Sequence, residues 1–313
     1  MDPETVDTIL RKTRETWSIS NNVEITLEAN PTSVEAGKFA DFKEAGINRV
    51  SIGIQALNDS DLRRLGRLHS VKEAKAAFET AAGLFERINF DLIYARQDQS
   101  ITDWECELKE ALSMGSSHIS LYQLTIENGT AFGDRLAKGG LVGLPIEDLA
   151  ADLFQVTQEL TAKVGLCAYE VSNHAKSGSE SRHNLIYWQG GDYVGIGPGA
   201  HGRLTVDEIR YETEMPKIPN DWLLAVSENG NGEIPRHAQS AIEQANEYLM
   251  MGLRLTGGID IPRYEKIAKS SIDYNTLDNL AEIGMVKVDE QTLATTQKGR
   301  PILNAIIREL LKV

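Results

Sequence analysis

Residues 23–55 read VEITLEANPTSVEAGKFADFKEAGINRVSIGIQ. VEITLEAN (23–30) alternates Val23, Ile25 and Leu27 with Glu24, Thr26 and Glu28, the period-two pattern of a strand with one face buried. Pro31 ends it, Ser33 is suited to cap a helix, and VEAGKFADFKEAG carries a helical pattern that stops at Gly46. RVSIGIQ (49–55) is then a second strand. Strand, helix and strand in succession imply parallel strands joined by a right-handed crossover.

The unit repeats along the chain. Residues 3–17 predict a leading helix, with Asp2 as N-cap and Pro3 in the first turn. A helical stretch from Asp59 through Glu86, broken around Gly66–Ser70, precedes the strand INFDLIY (88–94). ITDWECELKEALSMG (101–115) is a helix, HISLYQLTI (118–126) a strand, and LPIEDLAADLFQVTQELTAKVG (144–165) a helix. Four such units make an α/β protein with a parallel sheet, either a barrel or an open doubly wound sheet. Glu28, Gln55, Asp91 and Gln123 lie in, or at the C-terminal end of, successive strands. In a β/α barrel those ends converge on one mouth. Two carboxylates and two amides there, with Arg67 and Arg96 the nearby positive charge, suit a ligand carrying hydroxyls and a cation rather than a polyphosphate.

Farther on, AYEVSNHA (168–175) and DYVGIG (192–197) read as strands flanking a loop, SRHNLIYWQGG, and RLTVDEIRYET (203–213) as a strand or two. Residues 181–204 pack His183, Asn184, Tyr187, Trp188, Asp192, Tyr193 and His201 among six glycines. GPGAHG (197–202) satisfies G-x-G-x-x-G, but the following RLTVDEIR reads as strand, and a dinucleotide fingerprint must open a helix. His174, His183 and His201 are imidazoles able to ligate iron, in spacings that match no zinc pattern; a structural hydrogen bond is the ordinary alternative for each. Residues 215–237, rich in Pro, Asn and Gly, predict a linker. Helices over 238–255, 261–270 and 274–284, two strand halves in 285–296 turning at Asp289–Glu290, and a closing helix over 297–312 describe a winged-helix-like module.

The net charge of −14 argues against a nucleic-acid surface. Residues 236–313 hold 10 basic and 10 acidic side chains, so the excess lies in 1–235, where 36 acids face 22 bases. No apolar run approaches the ~20 residues that cross a bilayer, and the first 17 residues have no apolar signal core. Two distant cysteines, Cys106 and Cys167, indicate a reducing cytoplasm without a disulfide framework.

VEITLEANP, RVSIGIQ with LGRLH a turn later, INFDLIYARQDQ, ISLYQLTIENGT, YEVSNHA, HNLIYW and GDYVGIGPGAHG, in this order, resemble the radical S-adenosylmethionine (SAM) family of the heme chaperone HemW, related to the oxygen-independent coproporphyrinogen III oxidase HemN. The resemblance covers nearly the whole chain. It implies an incomplete parallel β/α barrel over 1–214 with the HNLIYW/GIGPGAHG extension, a linker over 215–237, and a HemN-type C-terminal domain over 238–313. It also implies that Glu28, Gln55, Arg67, Asp91, Thr125 and His201 line a SAM site. HNLIYW resembles the family's heme-associated motif, which makes His183 the candidate iron ligand, with Tyr187 and Trp188 flanking the macrocycle. The function implied is binding of heme and its transfer to an acceptor protein, a respiratory one among the candidates. SAM and a 4Fe–4S cluster are cofactors of the intact family, and peripheral membrane association would accompany the acceptor. The alternative is a radical decarboxylase of porphyrin biosynthesis, which HNLIYW and GPGAHG disfavour.

The sequence departs from the family in two places. A strand bearing C-x-x-x-C-x-x-C, whose thiolates hold the cluster, and a Gly-Gly-Gly-Thr-Pro loop do not occur. The expectation is a fragment, a mis-started reading or a degenerate homologue, with two barrel strands missing, an open sheet edge, and no cluster assembled by the chain as written. In YARQDQS, the family usually has Pro-Gly at the positions of Gln97 and Asp98.

Overall fold

The structure is a computed structural model describing residues 1–32 and 36–311. The capping role expected of Ser33 falls outside the described residues. The chain forms two compact units, 1–180 and 181–313. The HNLIYW segment therefore groups with the C-terminal part, where a boundary near 214 was expected.

The first unit is a six-stranded sheet in the order β1-β2-β3-β4-β6-β5. Strands β1 (Thr26–Ala29), β2 (Arg49–Gln55), β3 (Arg87–Tyr94) and β4 (His118–Gln123) are parallel, as the repeated units predict. Between them run α1 (Pro3–Thr16, ahead of the sheet), α2 (Phe39–Ala45), α3 (Asp59–Arg64), α4 (Val71–Leu84), α5 (Ile101–Ser113), α6 (Ala131–Ala137) and α7 (Glu147–Lys163). The expected strand 168–175 is instead two short ones, β5 (Cys167–Ala168) and β6 (Asn173–Ala175), which turn back on each other, and β6 runs antiparallel to β4. Strand β1 is an edge, bonded among the described residues to β2 alone.

Alternation along the strands makes the sheet two-faced. Val50, Ile52, Phe90, Leu92, Ile119 and Leu121 form one face, buried under α2, α4, α5 and α7. Aromatic pairs fill it: Phe78 against Phe90 edge-on at 5.2 Å, and Tyr94 stacked on Trp104 at 5.2 Å. Trp104 keeps its indole N–H satisfied by donating to Thr157 at 2.8 Å. Asp2 stands at the N-cap of α1, yet its carboxylate makes no capping bond and pairs with Lys38 at 2.8 Å.

Arg96 does not join the polar strand positions. It is buried, donating to Asp61 at 3.0 Å and to Glu107 at 2.5 Å, while Glu107 accepts from the Leu57 amide at 2.6 Å. The network ties the loops after β2 and β3 to α3 and α5. In the loop after β3, Asp98 holds a left-handed φ of +57° and pairs with Arg64 at 3.2 Å. The backbone shape that glycine favours is thus adopted by an aspartate.

The second unit holds two antiparallel sheets. Strands β7 (His201–Val206), β8 (Ile209–Glu214) and β9 (His237–Ala238) form the first. The other has β10 (Ile259–Asp260), β12 (Thr292–Thr295) and β11 (Val286–Val288), in that order. Its core is Leu249, Leu253, Tyr264, Leu277, Leu293 and Ile306, drawn from β12, α10 (Ala241–Gly252), α11 (Ile261–Ala268), α12 (Tyr274–Glu282) and α13 (Leu303–Leu310), with Leu253 just past α10. The closing helix is shorter than expected, begins with a 3-10 turn at Arg300–Ile302, and its expected last residue lies outside the described chain.

Three expectations are corrected here. SRHNLIYWQGG is a helix, α8 (Arg182–Trp188), since Ser181 caps its start and a glycine pair its end; seven residues are too few to display a helical period. DYVGIG is not a strand: only Tyr193 makes a bridge, with Arg203. The 215–237 linker contains α9 (Pro219–Asn229), started by Pro219 and stopped by Gly230 in the left-handed conformation.

Removing Arg96 leaves Glu107 charged, buried and short of its cation. Arg96→Ala is expected to cost about 3–5 kcal/mol, read as a lower urea midpoint for unfolding at unchanged slope.

Candidate functional site

The second face of the parallel sheet is polar. Arg49 and Ser51 on β2, Arg87, Asn89 and Asp91 on β3, and His118, Ser120 and Tyr122 on β4 share it by alternation, with Ser51 beside Asn89, Asn89 beside His118, and Asp91 beside Ser120. Asn89 is the hub. Its amide nitrogen donates to Ser51 Oγ at 2.7 Å, Asp91 Oδ1 at 3.2 Å and Ser120 Oγ at 3.5 Å, while its Oδ1 is buried without a hydrogen-bond partner. Toward the start of the strands, Arg87 pairs with Glu24 at 2.7 Å and Arg49 reaches Thr26 at 3.5 Å. Positive charge is therefore more plentiful on this face than expected. His118 Nε2 lies 2.9 Å from the Tyr169 hydroxyl; burial, helped by Arg49, pushes its pKa down to about 3, so it is neutral.

Burial pushes the Asp91 carboxyl up to about 6, and the negative charge of Glu28 adds to the shift. Burial and the carboxylates of Asp91, Glu170 and Glu28 likewise raise the Tyr122 phenol. Glu28, Asp91 and Glu170 thus act electrostatically on one hydroxyl, and Glu28 is exposed while Glu170 is buried. Glu170, Tyr122, Ser51, Asn89 and Ser120 were not among the expected site residues. The signal was present: polar residues recur at every second position in RVSIGIQ, RINFD and HISLY.

Of the expected SAM-lining residues, Glu28 and Asp91 belong to this face by alternation, whereas Gln55 follows a register shift in β2 that sets it opposite Leu92 of the apolar face. Gln55 ends β2 with a φ of +73°, and its side chain folds over Gly53, where a Cβ would stand 2.7 Å from Gln55 Nε2. Arg67 is half-buried in the loop between α3 and α4. Two residues on, His69 Nε2 sits 3.0 Å from the Ile54 carbonyl and ties LGRLH to the end of β2. Thr125 is exposed just past β4 and donates to the Gln123 carbonyl at 3.2 Å. Gln123 itself is in register with Tyr94 and so falls off the polar face. His201 lies in the second unit, exposed at the start of β7 opposite Glu214. His174 is buried on β6 with its Nε2 3.2 Å from Gln158 Nε2, a structural role.

Both cysteines are exposed, Cys106 on α5 and Cys167 on β5. Among the described residues no three His, Cys, Asp or Glu side chains are placed to hold a metal ion. With two cysteines, the residues of this chain do not fit a three-thiolate iron–sulfur site.

In the second unit, α8 is finished at both ends. Ser181 Oγ accepts from the Asn184 amide at 3.4 Å. At the other end Gly190 N donates to Tyr187 O at 3.1 Å and Gly191 N to Ile186 O at 2.8 Å, the paired bonds of a left-handed helix stop. Gly190 has a φ of +64°, and a Cβ there would lie 3.1 Å from the Tyr248 ring. His183 and Tyr187, four apart, share one side of the helix: their rings meet edge-on at 4.7 Å, with Tyr193 against Tyr187 at 4.4 Å. Trp188 is separated from this cluster and turned toward Arg254, whose guanidinium lies 6.0 Å from its ring.

The Asp91 shift has a consequence for stability. A carboxyl with a folded pKa above its unfolded value holds its proton more tightly when folded, so stability is lost as pH rises from about 4 to about 6. The cost at neutral pH is up to about 3 kcal/mol. Asp91→Asn is expected to match the parent at pH 4 and to exceed it at pH 7 in urea unfolding.

Residues 1–105 match the Radical SAM superfamily and residues 239–302 the HemN C-terminal domain. The chain is 34% identical to the mitochondrial radical S-adenosyl methionine domain-containing protein 1 of Bos taurus, over 99% of its own length and 72% of the relative's. It is 35% identical to the heme chaperone HemW of Escherichia coli, over 98% of its length and 79% of that protein's. Among solved structures, coproporphyrinogen III oxidase HemN from Escherichia coli superposes with a TM-score of 0.81 at 19% identity, covering 100% of this chain and 75% of that one, a likeness of fold. By these matches the chain belongs to the HemW family of radical SAM proteins.

Proposed function

We propose that this protein is a heme chaperone of the HemW type, which binds heme and passes it to an acceptor protein in the cytoplasm or at a membrane surface. The observation that carries the reading is His183. It is an exposed imidazole on a helix capped at both ends, beside two tyrosine rings, within a chain 35% identical to a heme chaperone. An exposed imidazole suits axial ligation of a ferric porphyrin, and tyrosine rings suit the macrocycle's apolar edge. Trp188 belongs to the same reading as a support of the helix rather than a wall of the site. Likeness to the oxidase is one of fold at 19% identity and supports no decarboxylase.

The parallel strands form part of an incomplete β/α barrel, and residues 238–313 a winged-helix-like module. The polar face is the SAM site. SAM would bring ribose hydroxyls, a sulfonium and an ammonium to it. Asp91 and Glu28 would oppose the cations or accept from the hydroxyls, Gln55 and Thr125 would donate and accept at the strand ends, and Arg67 would take the carboxylate. The unpartnered Asn89 Oδ1 and the high pKa of Asp91 both suit a bound cation, which would favour the ionised carboxylate.

Titrating the purified chain with hemin is expected to give a shifted Soret band, absent in His183→Ala; an unshifted band in the parent overturns the chaperone reading. SAM binding, followed by calorimetry, is expected to strengthen as pH rises through 6 and to lose that dependence in Asp91→Asn.

A further inference from the structure

We propose that Arg263 is a positioning residue for the His183 helix, through which the C-terminal module fixes the orientation of the iron ligand. The inference rests on the heme-binding reading of His183. Helix α8 has seven residues, too few to persist by its own hydrogen bonds, so its orientation must come from what grips its ends. Orientation matters because each residue of helix rotates by about 100°, and loss of the last turn would carry Tyr187 away from His183.

The C-terminal grip is a set of three carbonyls taken by two guanidinium groups. Arg263 donates through Nη1 to Gln189 O at 2.8 Å and through Nη2 to Gly190 O at 3.2 Å. Arg210 donates to the next carbonyl, Gly191 O, at 3.2 Å. Cations at this end also meet the negative pole of the helix. Arg263 is itself held: its guanidinium lies 4.5 Å over the Tyr248 ring, and its backbone N–H donates to Asp260 at 2.6 Å. The Tyr248 hydroxyl in turn accepts from the Asp260 amide at 3.1 Å. The same tyrosine ring is the surface that a side chain at Gly190 would strike. Arg263, Tyr248 and Asp260 all lie within the HemN C-terminal match, residues 239–302, whereas α8 lies outside it. A module of balanced charge thereby acquires a task.

Arginine is required by this geometry. Its planar fork serves two successive carbonyls while its face rests on an aromatic ring, which a lysine ammonium cannot reproduce. Arg263 acts through the helix backbone and does not touch heme, which separates it from a residue that binds a propionate.

The test is hemin titration of the full chain carrying Arg263→Met, which keeps the apolar stem and removes the donors. Roughly tenfold weaker binding is expected, the scale of one or two lost charge-assisted hydrogen bonds, with a reduced histidine-type Soret shift and partial recovery in Arg263→Lys. In a His183→Ala background, where residual hemin binding is read by quenching of tryptophan fluorescence rather than by the Soret band, Arg263→Met is expected to add no further loss, because both act through one ligand. Should Arg263→Met fail to fold by circular dichroism, Arg263→Gln, which keeps one donor, replaces it in the same cycle. Parent-like affinity and spectrum in the single variant overturn the proposal, as does an additive loss in the double variant, which would mean direct contact with heme. An unshifted Soret band in the parent overturns the heme reading and this inference together; a shifted parent band with an unaffected Arg263 variant overturns the inference alone.

Discussion

The alternation of side chains along four parallel strands is the constraint on which the first unit depends. One face is continuous hydrocarbon and aromatic surface, and helices must cover it to remove it from water. The other face carries arginine, serine, asparagine, aspartate and histidine at buried or half-buried positions, and such groups are costly unless they bond one another. Asn89 resolves much of that cost by bridging three strands with one amide. The loops at the strand ends are then pinned from the helix side by the buried Arg96–Glu107 pair, so the polar face opens from a rigid frame.

This arrangement costs stability, which the proposed binding of a cationic ligand would recover. Asp91 would be more comfortable as a neutral acid, and its carboxylate form is held at a free-energy cost that a cationic ligand would offset. The hydroxyls of Ser51 and Ser120 accept from the Asn89 amide. They hydrogen-bond to the Asp91 carboxylate and limit how far burial can raise its pKa.

The second unit solves a different problem, that of holding a seven-residue helix in one orientation. Ser181 begins it, a glycine pair ends it, and arginines from the β7–β8 hairpin and from α11 take the remaining carbonyls. Charge in this unit is used in part for backbone geometry, with guanidinium donors on the carbonyls of residues 189–191.

The sequence by itself determined the parallel core, since strand and helix periods differ and RVSIGIQ, INFDLIY and HISLYQ are long enough to display theirs. It also placed Glu28, Gln55 and Asp91 in successive strands, while the sheet order made those strands neighbours. Tertiary structure decided what short segments do. HNLIYW is too brief for a period, so its helix depends on caps and on arginines up to 74 residues away in sequence. Arg96, equally polar in the sequence, went into a buried ion pair, because the carboxylates of Asp61 and Glu107 reach it only after the strands have paired. Local pattern fixes which face a residue takes; which partner it finds there is a property of the packed chain.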